Sequence, residues 1–117
     1  MDDSTKIVVR IIRKYLLDIE RSCSMCCWNT PRFEQITYEI IAATTILDEI
    51  ENNKSLKPKA IIEDFRAKMN KYVYINTLFS RHYSIQADAA TYILDEIEYE
   101  ERRLNQNGQI KIRKTNR

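Results

Sequence analysis

The 117-residue sequence predicts an all-α fold, a four-helix bundle built from two antiparallel helical hairpins, and three observations carry that expectation. Apolar residues recur three and four positions apart along most of the chain, which is the period of one buried helix face. A single Gly and two Pro leave little material for turns, so the helices must be long and their connections short. The stretch Ala43-Thr44-Thr45-Ile46-Leu47-Asp48-Glu49-Ile50-Glu51 returns 47 residues later as Ala90-Thr91-Tyr92-Ile93-Leu94-Asp95-Glu96-Ile97-Glu98, with eight of nine positions identical. Such a repeat marks an internal duplication of a helix pair, although convergence on a good helix-forming sequence yields the same pattern.

The first helix is expected from about Ser4 to Cys27, capped by Asp3 or Ser4. Its apolar stripe is Ile7, Val8, Ile11, Ile12, Tyr15, Leu16 and Ile19, and its other face carries Arg10, Arg13, Lys14 and Arg21. Trp28-Asn29-Thr30-Pro31 breaks the chain, because Pro suits the first helical position and Asn29 or Thr30 can cap the backbone donors that follow. A second helix from about Pro31 to Asn52 bears Phe33, Ile36, Ile40, Ala43, Leu47 and Ile50 on one stripe, and so short a connection makes it an antiparallel neighbour of the first. Asn52 to Lys57 is a polar linker, and Pro58 opens a third helix whose stripe of Ile62, Phe65, Met69, Tyr72 and Val73 fades near Asn76. The pattern between Leu78 and Tyr83 reads as a loop or a kink. Ser84 then caps a fourth helix with the stripe Ala87, Ala90, Leu94 and Ile97, and Asn105-Gln106-Asn107-Gly108 closes it.

On this reading residues 1–107 form a single helical domain and 108–117 a basic, flexible C-terminal tail. Each hairpin alone has an apolar stripe and nothing to cover it, so the two must face each other. Leu47 and Leu94 are expected at equivalent buried sites about an approximate two-fold axis, with Ala43 and Ala90 close-packed nearby. Ile46 and Ile93 fall off the centre of the stripe by helical angle, and are expected as exposed edges able to close a homodimer.

No apolar run approaches the length of a membrane span, and Met1-Asp2-Asp3-Ser4 is acidic where a secretory signal is basic, so a soluble, cytoplasmic protein is expected. Abundant Ile, Lys, Asn and Tyr are the usage of a low-GC genome, such as that of a bacterium, phage or mobile element. The net charge of +2 hides an asymmetry: residues 102–117 contain Arg102, Arg103, Lys111, Arg113, Lys114 and Arg117 and no acid, which leaves −4 on residues 1–101.

Three groups of residues bear on chemistry. Cys23, Cys26 and Cys27 include a C-x-x-C spacing, with His82 as a conceivable fourth zinc ligand, but no second knuckle exists, and the expectation is reduced thiols packing the end of the first helix beside Trp28. Asp48, Glu51, Asp95 and Glu98 are acidic pairs three apart on two helices. In that spacing alone they resemble the clusters of all-α nucleotide pyrophosphohydrolases of the MazG kind, which implies a metal-dependent nucleotide hydrolase as a weaker alternative. Edge acids near helix ends are more often solvated or ion-paired, so no metal and no cofactor is expected. Lys68, Lys71, Tyr74, Arg81 and His82, with Tyr72 and Tyr83, interleave cations and aromatics, the combination that holds phosphates and stacks bases. With Arg102, Arg103, Lys111, Arg113, Lys114 and Arg117 of the tail they form the candidate nucleic-acid surface, although Tyr72 on the core stripe is expected to be unavailable for stacking. No nucleophile motif and no phosphate-cradling Gly loop is present. The sequence therefore points first to a small non-enzymatic binding module, a regulator, adaptor or inhibitor with a protein partner, and second to a nucleic-acid-binding protein.

Overall fold

A computed structural model describes the backbone of residues 3–23 and 31–115 and the side chains of residues 3–22 and 31–106. Within these limits the chain is four helices and no strand: α1 (Asp3–Cys23), α2 (Pro31–Asn52), α3 (Pro58–Ile75) and α4 (Ser80–Thr115). They pack as an all-α bundle, and the contacts are compatible with antiparallel hairpins. Lys59 of α3 reaches Glu101 of α4, and Tyr72 lies against Tyr83, so rising numbers on one helix meet falling numbers on the other.

Local chemistry sets the boundaries. Pro58 occupies the first position of α3 behind an extended Lys57, where its missing N–H costs nothing. At the other end of α3 the Asn76 N–H donates to the Tyr72 carbonyl at 2.9 Å, and the Asn76 side chain then accepts from the Phe79 N–H at 3.3 Å. The Phe79 carbonyl accepts from the Tyr83 N–H at 3.3 Å, which starts the ladder of α4. The fourth helix therefore begins at Ser80, not at Ser84, and the expected loop over Leu78–Tyr83 shrinks to the turn at 76–79. Its far end also differs from expectation, since α4 continues through Gly108 to Thr115. A single Gly costs a helix about 1 kcal/mol relative to Ala, and flanking Gln, Lys and Arg are good helix formers that offset it.

The helix α4 is the hub. Its most extensive contact is with α3, followed by α2, and it also touches α1. Ile85, Gln86, Ala87, Ala89, Ala90, Ile93, Leu94 and Ile97 are all buried, an arc far wider than one stripe, as a helix with neighbours on three sides requires. Alanines at 87, 89 and 90 let those neighbours approach closely. The largest wholly buried side chains are Ile12 of α1, Ile46 of α2, Ile62 of α3, and Ile93 and Ile97 of α4, so every helix contributes to one core. Burying each such side chain is worth about 1.5–3 kcal/mol.

Both copies of the repeat bury a face, but one rotated from the face expected. Ala42, Ala43, Ile46 and Ile50 are buried on α2, and Ala89, Ala90, Ile93 and Ile97 on α4. Ile46 and Ile93, expected as exposed dimer-closing edges, are both 0 % exposed, which removes that basis for a homodimer. Ala43 and Ala90 are close-packed as expected. Leu94 is buried, whereas Leu47 is only half-buried against the core, so the two leucines do not occupy matching environments. Equivalent ends of the two helices lie side by side: Glu34 of α2 meets Arg81 and His82 of α4, about one repeat length further along the chain.

Candidate interaction surfaces

At the end of the bundle made by the α3–α4 turn, a histidine is held between two rings. His82 stacks on Tyr38 of α2 with ring centres 4.0 Å apart and planes 13° from parallel, and Phe79 covers it at 5.6 Å. Its Nε2 lies 3.2 Å from Glu34 Oε1, and the same carboxylate oxygen is 3.6 Å from Arg81 Nε. The His82 side chain thus ties α4 to α2 and is engaged in structure. Next to it the chain leaves large apolar side chains in solvent: Tyr74 is 85 % exposed, Ile75 66 %, Leu78 81 % and Phe79 45 %. Tyr72, expected in the core, is instead 37 % exposed, because it lies at the rim and packs on Tyr83 with ring centres 5.2 Å apart.

The candidate nucleic-acid residues fall at two ends. Lys68, Lys71 and Tyr74 are exposed on the C-terminal half of α3, near Arg81 and His82 at the start of α4. Arg102 and Arg103 lie some 20 residues further along α4, about 30 Å away at 1.5 Å per residue. The structure therefore does not bring the segment 68–83 and the tail onto one surface. Four of these residues already face carboxylates: Arg81 and His82 share Glu34, Arg102 pairs with Glu98 at 3.7 Å, and Arg103 pairs with Glu100. The side chains of Lys111, Arg113, Lys114 and Arg117 lie outside the described residues.

Asp48, Glu51, Asp95 and Glu98 are all exposed. Glu51 is 3.6 Å from Arg13 and Glu98 is 3.7 Å from Arg102, so these acids do not converge on a common point. Among the described residues no group of three His, Cys, Asp or Glu is placed to hold a metal ion. The Cys23, Cys26 and Cys27 side chains lie outside the described residues, as do Trp28 and the capping residues Asn29 and Thr30.

A cleft that apolar spacing and motifs did not foretell runs between α1 and α4. It has a volume of about 220 Å³ and is lined by Arg10, Lys14, Tyr15, Asp18, Tyr92, Glu96 and Glu100 among others. Tyr15 and Tyr92 pack with ring centres 5.0 Å apart, and the Tyr15 hydroxyl donates to Glu39 Oε2 of α2 at 2.9 Å. Burial first, and then the charge of Glu39 and the hydrogen bond to it, push the Tyr15 hydroxyl pKa well above its ordinary value. Burial and the nearby Glu96 and Asp18 carboxylates raise that of Tyr92. One signal of this site was present in the sequence: the repeat departs from identity at a single place, Thr45 against Tyr92, and Tyr92 is the residue that meets Tyr15.

These surfaces define a class, a small all-α bundle with a group of exposed apolar side chains at the α3–α4 turn and others scattered over the helices. Among the described residues no helix is long and apolar enough to cross a membrane. No protein-family model, curated protein or solved structure matches this chain.

Proposed function

We propose that this protein is a small, non-enzymatic helical binding module that acts through protein–protein contact at the α3–α4 turn. One observation carries the reading: Tyr74, Ile75, Leu78 and Phe79 are four large apolar side chains, close together in sequence, exposed around one turn. Single exposed apolar residues are ordinary on protein surfaces, but a contiguous group at a rigid tip is the pattern of an interaction site. Two packed helix ends hold that tip, and His82 braces it through Tyr38, Phe79 and Glu34, so little conformational freedom is lost when a partner docks. Aromatic side chains bring large contact area at low entropic cost. A non-catalytic role is supported by the engagement of the gathered titratable groups with each other, Glu34 with His82 and Arg81, and Glu39 with Tyr15.

The test is recovery of a partner from nuclease-treated extract of the source organism with wild type and with the double variant Ile75→Ser/Leu78→Ser. The expected outcome is one enriched protein that the variant fails to retain, while the melting temperatures of the two proteins agree within a few degrees. Equal recovery by both proteins, or loss of all captured material on nuclease treatment, would sink the reading.

A further inference from the structure

We propose, resting on the α3–α4 turn as the interaction site, that the partner docking there is acidic: a segment of another protein in which large apolar side chains are flanked by Asp or Glu. The apolar half of the match is Tyr74, Ile75, Leu78 and Phe79, of which Tyr74 at 85 % and Leu78 at 81 % exposure reach furthest into solvent. The charged half lies beside it on the same helix. Lys68, Lys71 and Ile75 follow one another three and four positions apart, so they share one face of α3, and both lysines are exposed.

Charge sets the sign of the partner. Residues 65–87 carry Arg66, Lys68, Lys71 and Arg81 and no acid, and since the whole chain is +2 the remainder sums to −2. From the neighbouring helix the carboxylate of Glu34 reaches this segment, and Arg81 and His82 share it. Lys68 and Lys71 have no ion-pair partner among the described residues. On their own helix Asp64 comes one turn before Lys68, which places it about 16 Å along the axis from Ile75 and outside the apolar group. Carboxylates set beside a partner's apolar side chains therefore meet the two lysines, whereas a basic partner meets repulsion. Complementary charge of this kind gives orientation and speed of encounter, and the apolar contact supplies the affinity.

Two other anionic ligands fit less well. Nucleic acid needs free aromatic faces for its bases, yet Tyr72 packs on Tyr83 and His82 is covered by Tyr38 and Phe79, while Ile75 and Leu78 offer no π-face. Asn76 and Thr77 lie between the two apolar pairs of the turn. An anionic bilayer that took up Ile75 and Leu78 would therefore also have to bury the Thr77 hydroxyl and the backbone of the turn.

The experiment is selection from a phage-displayed library of random peptides about 16 residues long, enough for about four helical turns, on immobilised wild type with counter-selection on Ile75→Ser/Leu78→Ser. The enriched peptides are expected to join Leu, Ile, Phe or Trp with Asp and Glu and to carry net negative charge. A labelled enriched peptide, measured by fluorescence anisotropy at low salt, should bind Lys68→Gln/Lys71→Gln roughly three- to tenfold more weakly than wild type. The gap should narrow as salt rises. Lys54→Gln/Lys57→Gln, beyond the far end of α3, should leave binding unchanged. Enriched peptides that are neutral or basic overturn the proposal, as does equal affinity for wild type and Lys68→Gln/Lys71→Gln, and both outcomes leave the turn as the docking site. Absence of any peptide that prefers wild type to Ile75→Ser/Leu78→Ser sinks the turn as the docking site, and the acidic partner with it. Binding to anionic phospholipid vesicles or to duplex DNA that is tighter than to the peptide, and is lost in Lys68→Gln/Lys71→Gln, also overturns the proposal.

Discussion

Among single residues, the repeat separates what a side chain is from where it points. Ile46 and Leu47 are adjacent, both aliphatic and both repeated, yet Ile46 is fully buried while Leu47 is only partly covered. Removing buried atoms costs their transfer free energy plus a term for the cavity left behind, so the two truncations should differ. Ile46→Ala and Ile93→Ala are each expected to lower stability by about 2–5 kcal/mol, and Leu47→Ala by clearly less. Urea denaturation followed by circular dichroism measures all three, and a Leu47→Ala cost equal to that of Ile46→Ala would show that the buried face is centred on the leucine. The one divergent position of the repeat has a similar explanation: Tyr92 on α4 packs against Tyr15, and Thr45 is its counterpart on α2.

For whole helices, the ends were decided by whichever backbone bonds were available. Pro31 and Pro58 open α2 and α3 where a proline is tolerated, and the Asn76 side chain, by taking the Phe79 N–H, hands the chain directly into α4. Gly108 has the character of a C-terminal cap but lies inside α4. The two situations respond oppositely to Ala, which favours helical backbone and disfavours the left-handed conformation of a capping Gly. Gly108→Ala is expected to raise the helical signal in circular dichroism without lowering the melting temperature. A fall in both would place Gly108 at a left-handed cap and end α4 there.

Across the molecule, four helices of unequal length enclose one core, and the asymmetry lies in α4. All described core residues precede Ile97 or coincide with it, so residues 98–106 of α4 add nothing to that core. Deleting residues 108–117 is accordingly expected to shift the melting temperature by no more than a few degrees, and a drop of more than about 10 °C, which in a domain of this size is a loss above 1 kcal/mol, would show that this segment is packed on the body.

The helical state of the chain, the limits of α2, the start of α3 and the membership of most core positions were legible in the amino-acid order alone. All of these follow from local signals, namely apolar spacing, prolines at first helical positions and an Asn-rich linker, that act within a few residues. The repeated acids were also legible as surface groups, because carboxylates at the edge of a stripe stay with water or with Arg13 and Arg102. Periodicity gives the angle between residues but not the number of neighbours around a helix. It took the packed bundle to enclose α4 on three sides, and therefore to make Ile93 and Ala89 interior, and to turn Ile46 of α2 into the same core while Tyr72 lies at a rim. Which charged segments meet is likewise a property of helix direction and length: Lys68–Tyr83 and the tail are parted by the length of α4, and Lys54–Lys59 is brought to Glu101 because α3 starts where α4 leaves the body.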